Sequence, residues 1–176
     1  MLKLTHKLSH IVSMLFKVKH FLPSFILKLL YHAHVHSALN YCNTIWGSTS
    51  QSHLQSLMVM QKRIIRIITD SPYLEHTRPL FKSTNILNLT DLNKFNNIME
   101  YFLSSNHLHQ GNLPAHDHFT RHRNNYVPPR TRTCLQDKSF MHLSPLYFHQ
   151  LPQHLKSIIS PTKFKNQLKS HFLNAY

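Results

Sequence analysis

The sequence predicts a mainly α chain: a helical body over residues 1–110, an extended basic connector over 111–144 and a short C-terminal helical cap over 145–176. Three observations carry that reading. Apolar residues recur at steps of three and four through most of the first hundred positions, which is the spacing of one helix face. Nine prolines and only two glycines, Gly47 and Gly111, argue against the turn-dense chain of a β-sandwich. The periodicity then fails from Gly111 to about Pro145 and returns only near the end.

In the first element Leu4, Leu8, Ile11, Leu15 and Val18 form the apolar stripe, with Lys3, Lys7, Lys17 and Lys19 among them. Pro23 interrupts it, since proline cannot continue a helix from within. A second apolar stretch runs from Phe25 through Leu39 to Trp46. Ser50 offers a cap for the clearest helix, where Leu54, Leu57, Met58, Ile64, Ile65 and Ile68 share a face. Lys62, Arg63 and Arg66 lie toward its C-terminal end, where cations complement the helix dipole. The run Thr69-Asp70-Ser71-Pro72 stops it. A further helix is expected after Thr90, with Leu92, Phe95, Met99, Phe102 and Leu103 on one side. At the end Ser160-Pro161 makes a helix start, and Phe164, Leu168 and Phe172 repeat every four residues.

With 176 residues, 41% of them apolar, the chain can bury a core despite a net charge of +14. Scarce acids set that charge: Lys and Arg number 20, Asp and Glu six. Residues 1–69 hold eight bases and no acid, residues 70–117 three bases and five acids, and residues 118–176 nine bases and one acid. Two basic segments flank a near-neutral centre, and polyanions are their natural partners. Seventeen histidines add positive charge below about pH 6.5. Two cysteines, Cys42 and Cys134, make neither a disulfide framework nor a zinc finger. A reducing compartment, cytoplasmic or nuclear rather than secreted, is the simpler expectation. No stretch reaches the ~20 apolar residues of a membrane span. The acid-free start, Met1 to Phe25, has the look of a mitochondrial presequence or a membrane-surface helix, but its bases are all lysines and it runs straight into further helical pattern.

Catalysis finds little support. Two-metal phosphoryl or nucleotidyl transfer needs converging carboxylates, yet no two acids are adjacent and the nearest pair, Asp70 and Glu75, lies five apart. Asp70 and Asp91 read instead as a helix-end turn residue and a first-turn acid. No Gly-rich phosphate loop exists, and Cys42, between Tyr41 and Trp46, reads as a buried structural thiol. No catalytic residue and no cofactor is expected. His32 and His36, four apart, and the group His107, His109, His116, Asp117 and His118 are the metal candidates, but neither shows a recognised zinc spacing, and no metal site is assigned. The connector is more informative. Arg121, Arg123, Arg130 and Arg132 fall within twelve residues around Tyr126, and guanidinium groups hold phosphates while an interposed ring stacks on a base. Composition alone leaves a solvated linker as an equal reading.

The order of several short patterns resembles a known family. Leu30-Tyr31, then Leu39-Asn40-Tyr41-Cys42-Asn43-Thr44-Ile45-Trp46-Gly47, is similar to the "LY … LNYC … WG" block of non-LTR (LINE-type, jockey-like) retrotransposon reverse transcriptases. Met60-Gln61-Lys62-Arg63-Ile64-Ile65 resembles that family's "QK … RII" helix. His76-Thr77-Arg78-Pro79-Leu80-Phe81 and Ile86-Leu87-Asn88-Leu89 resemble its "H … PLF … LNIL.L" segment. Arg132-Thr133, Lys138-Ser139-Phe140, Pro145 and Leu151-Pro152 are similar to its "RT … SF … GP..WN.LP" ending, and Phe164-Lys165 with Leu168-Lys169 to its closing "FK..LK" helix. The chain departs from the pattern at Phe148-His149, where Trp-Asn is usual, and at Gln136 and Ser144, where glycine is common.

The resemblance implies a C-terminal, post-thumb region of an RNA-directed DNA polymerase. The family's paired-aspartate palm motif has no counterpart in this sequence, so no catalytic residue is carried over and the chain alone is expected to be no enzyme. The implied partners are nucleic acid, either element RNA or target DNA, and upstream polymerase domains where the chain continues a longer frame. Lys62, Arg63, Arg66, Arg121, Arg123, Tyr126, Arg130 and Arg132 are the expected contacts. The alternative is a stand-alone basic helical protein that binds RNA or DNA.

Overall fold

The computed structural model describes residues 2–107 and 130–176, and among them the chain is helical with no strand. Helix α1 spans Leu2–Val18. A rod comes next, built from α2 (Ser24–Leu30), a π-helical turn (Tyr31–His36) and α3 (Ser37–Asn40). Then come α4 (Asn43–Trp46), α5 (Gln51–Ile68), α6 (Thr77–Thr84) and α7 (Leu89–His107). The last four are α8 (Cys134–Asp137), α9 (Phe140–His149), α10 (Gln153–Lys156) and α11 (Pro161–Asn174). They form two compact units, Met1–Asn93 with Lys169–Tyr176, and Lys94–Leu168.

In the first unit α5 packs against α1, α2 and α6. Its buried face is Leu54, Leu57, Gln61, Ile64, Ile65 and Ile68, and α1 contributes Leu8 and Leu15. The rod buries Leu27, Tyr31, Val35 and Leu39, each four residues after the last. Steps of four overshoot an α-helical turn by about 40° each, and the wider π turn at Tyr31–His36 takes up part of that drift. Gln61, the one polar member of the α5 face, is fully engaged. Its amide donates to the Tyr31 hydroxyl at 2.9 Å and the Leu87 carbonyl at 3.0 Å, and its carbonyl accepts the Leu89 N–H at 2.9 Å. Burial pushes the Tyr31 hydroxyl up to about 12, against a smaller lowering by the Gln61 hydrogen bond.

Helix ends explain most of the turns. Ser50 precedes α5 with extended backbone, as expected of a cap, but its carbonyl rather than its hydroxyl receives the His53 and Leu54 N–H groups. Helix α5 ends with Asp70 in the left-handed region (φ 49°) and the Ser71 N–H returned to the Arg66 carbonyl at 3.0 Å. Asn85 (φ 58°) closes α6 in the same way, with Ile86 N–H on the Phe81 carbonyl at 3.1 Å. Helix α7 begins at Leu89, two residues before the start expected after Thr90. Asn88 and Asp91 cap it reciprocally: the Asp91 N–H donates to Asn88 Oδ1 at 2.9 Å and Asn88 Nδ2 to Asp91 Oδ2 at 2.8 Å.

The second unit is held by aromatic rings. Phe102 and Phe164 stack with centroids 4.1 Å apart, and Phe148 meets Phe164 at 6.2 Å and Tyr101 at 5.3 Å. Ser144 donates its hydroxyl to Asn97 Oδ1 at 3.0 Å, both groups buried. Neither Ser144 nor Gln136 has positive φ, so neither position requires glycine's conformational freedom. Residues 108–129, which hold most of the predicted connector, lie outside the described residues. The expectation of an extended chain up to 144 is corrected by α8 and α9, which begin at Cys134 and Phe140. A threonine cap nucleates the first of these: the Thr133 hydroxyl accepts the Gln136 N–H at 3.2 Å.

Candidate nucleic-acid interface

The acid-free first helix and the basic end of α5 lie side by side in the first unit, so their cations share one groove. It encloses about 600 Å³ and is walled by Val12 and Ile67, with Phe16, Lys17, Lys19, Arg63, Arg66, Ser71 and Tyr73 around it. Four cations thus gather on a lining that holds no acid, with Asp70 alongside. Asp70 pairs with Lys19 at 3.1 Å but is itself 83% exposed, so the pair neutralises weakly. The Lys19 ammonium also sits 5.4 Å from the Phe16 ring centroid. Lys17 and Arg63 are exposed.

Arg66 has a different role. Its Nε and Nη2 both donate to the Glu75 carbonyl, at 3.1 and 2.9 Å, and its guanidinium carbon lies 5.8 Å from the Tyr73 ring centroid. The fork clamps the loop after α5 from both the backbone and the ring side. Tyr73 remains 69% exposed at the groove edge.

Of the predicted contacts, Arg63 and Arg66 line this groove, whereas Lys62 is half-buried and outside its lining. Arg121, Arg123 and Tyr126 lie outside the described residues. Arg130 and Arg132 are exposed in the second unit, just before α8, where the Arg132 N–H donates to Gln136 Oε1 at 3.3 Å. Lys17, Lys19, Phe16 and Tyr73 also line the groove, and the sequence reading does not pick them out as contacts. The absence of acids from α1 is the available signal for the two lysines. Nothing local marks Tyr73.

The remaining candidates resolve differently. Cys42 is exposed rather than buried, at φ 49° between α3 and α4, and Cys134 is exposed too. The bend at Cys42 directs its thiol outward while Trp46 Nε1 donates to the Tyr41 carbonyl at 2.7 Å. His32 and His36 do share a face, edge to face at 5.4 Å. Desolvation, then Lys169 and Lys28, hold His32 below the usual histidine range. Among the described residues no three His, Cys, Asp or Glu side chains come together as a metal site. No described helix is long and apolar enough to cross a membrane. Comparison with known proteins finds no matching family model, no matching curated protein and no matching solved structure.

Proposed function

We propose that the chain is the post-thumb, C-terminal region of a non-LTR retrotransposon reverse transcriptase, and that it contributes nucleic-acid contact rather than chemistry. The groove between α1 and α5 carries the second half of that reading. It collects Lys17, Lys19, Arg63 and Arg66 on a lining without an acid, in a unit whose first 69 residues hold no acid at all. Such a field attracts phosphates. The first half rests on the order of the motifs, and their packing supports it. Tyr31, Gln61, Leu87 and Leu89 come from three separate motif segments and meet at one buried hydrogen-bonded centre. Asn43 and Gly47, from the motif block after Tyr31, close against Asn93, whose amide donates to the Asn43 carbonyl at 2.7 Å. Motif segments that converge on one core have a physical reason to occur together.

The test is equilibrium binding of the purified chain to a fluorescent single strand, repeated across a salt series. Each phosphate contact contributes a slope of about −0.7 in log K against log salt. Contacts from Lys17 and Arg63 would give about −1.4. Salt-independent or absent binding would remove the nucleic-acid reading. The origin is tested separately: the genomic frame upstream of Met1 should encode a paired-aspartate palm. A promoter and clean start with no palm would instead favour the stand-alone binding protein. In primer-extension assays the isolated chain should incorporate no nucleotide.

A further inference from the structure

The groove's two kinds of side chain divide the work. Phosphate oxygens need mobile, uncommitted cations, and Lys17 and Arg63 are exposed with no hydrogen bond or ion pair to a described residue. Arg66 is held differently, because its Nε and Nη2 already donate to the Glu75 carbonyl. Its guanidinium lies near Tyr73, yet that ring stays 69% exposed at the rim. An exposed aromatic held by its own loop, on the same groove as uncommitted cations, has the makeup of a stacking platform beside a phosphate track.

We infer that Tyr73 is a base-stacking platform for single-stranded nucleic acid, that Arg66 positions it, and that Lys17 and Arg63 hold the flanking phosphates. The inference rests on the nucleic-acid reading above and names its substrate class. The groove takes a single strand because a duplex keeps its base faces stacked inside, out of reach of a surface ring. Cations that hold phosphates and a ring that stacks on a base place no demand on the 2′-hydroxyl, so RNA and DNA strands of one sequence should bind with comparable affinity. Sequence preference should be slight, since every base offers a π face.

The test compares three probes on the full chain: a single-stranded dodecamer, an abasic dodecamer of the same backbone, and the corresponding duplex. The base-bearing strand should bind about five- to hundredfold tighter than the abasic one, the range of one to a few stacked contacts. Tyr73→Leu should abolish that difference and leave the salt slope unchanged, while Tyr73→Phe should keep it. Arg66→Lys retains the charge but loses the fork, so it should also erase the base preference at constant salt slope. Arg63→Gln should weaken both strands equally and flatten the slope by about 0.7. Equal affinity for base-bearing and abasic strands, with a normal salt slope, would overturn the platform and leave the nucleic-acid reading standing. Duplex bound as tightly as the strand would overturn it as well. No salt-dependent binding of any probe would end both.

Discussion

The two units solve the same problem, a unique helical core, by different means. The first threads a polar side chain through its centre: Gln61, 1% exposed, satisfies a hydroxyl, a carbonyl and an N–H from three segments. The second stacks rings, with Phe102, Phe148 and Phe164 in mutual contact and one Ser144–Asn97 hydrogen bond beside them. Hydrogen bonds are directional and fail when one partner is removed. Ring contacts scale with area and leave a cavity when removed. The contrast teaches that register in the first unit is set by polar geometry, and in the second by shape.

The largest expected effect tests the second unit. Phe164→Ala deletes a fully buried ring stacked on Phe102 and should cost about 3–5 kcal/mol. The sole tryptophan, Trp46, lies in the first unit, so its fluorescence reports that unit while the far-UV circular dichroism reports both. In this variant the dichroism midpoint should fall further than the Trp46 midpoint. Coincident shifts would mean that the two units melt as one, and the comparison would lose its energetic basis.

Gln61→Leu breaks the first unit's device. It keeps the volume nearly constant but orphans the Tyr31 hydroxyl, the Leu87 carbonyl and the Leu89 N–H, for about 2–4 kcal/mol in total. The orphaned hydroxyl gives a sharper check. Tyr31→Phe should cost less in the Gln61→Leu background than alone, and additive losses would show that the two side chains are not coupled.

The same centre sets a pH limit. Tyr31 ionises near 12 in the folded chain and near 10 when unfolded. A folded value raised above the unfolded one gives stability that is fully present below pH 10 and is lost as the pH climbs through 12. A rise of that size corresponds to about 3 kcal/mol. Burial also pushes Tyr176 up, in the same direction and the same unit. Denaturant midpoints read by Trp46 between pH 9 and 12 should therefore fall. In Tyr31→Phe the fall should shrink to the part Tyr176 supplies. An unchanged fall would place the titration elsewhere.

These residues also show why some features are legible in sequence and others are not. The helical class and the α5 stripe are legible because apolar spacing is local. Gln61 is not, since a glutamine at a stripe position carries no mark of whether it is buried. The expected face of α7 is rotated from the observed one for the same reason. Leu103 is 42% exposed, while Asn93 and Asn97 are buried, and polarity alone would place them outside. Arg63 and Arg66 are legible as basic residues. Their groove is not, because it forms only when α1, some fifty residues earlier in the chain, packs alongside and the loop bearing Tyr73 folds over. The helical start at Cys134 hides within a run of arginines and prolines, where a single threonine cap is a weak signal.

A smaller effect probes the contact around Gly47. Its backbone is ordinary right-handed helical (φ −72°), so no conformational freedom is at stake. A methyl group there would collide with the Asn93 amide, whose Cγ lies 2.9 Å from the Cβ position, and with the Asn43 carbonyl. Gly47→Ala should cost about 1–3 kcal/mol as an overpacking change, with the Trp46 midpoint shifting more than the dichroism midpoint. A neutral result would show that Asn93 swings aside freely, and that the Asn43–Asn93 hydrogen bond contributes little to the first unit.

The smallest expected change is a gain, and it separates the first unit's surface from its core. Asp70 pairs with the groove's Lys19, and it occupies a left-handed position at the end of α5. Asparagine tolerates that conformation at least as well, so Asp70→Asn should leave the unfolding midpoint within about 0.5 kcal/mol of the native value. It should also release Lys19 for phosphate, steepening the salt slope for a single strand by about 0.7 and tightening binding a few fold at low salt. An unchanged slope would mean that Lys19 stays committed to the Phe16 ring and that only Lys17 and Arg63 meet the backbone. The core and the groove would then be independent even at the turn they share.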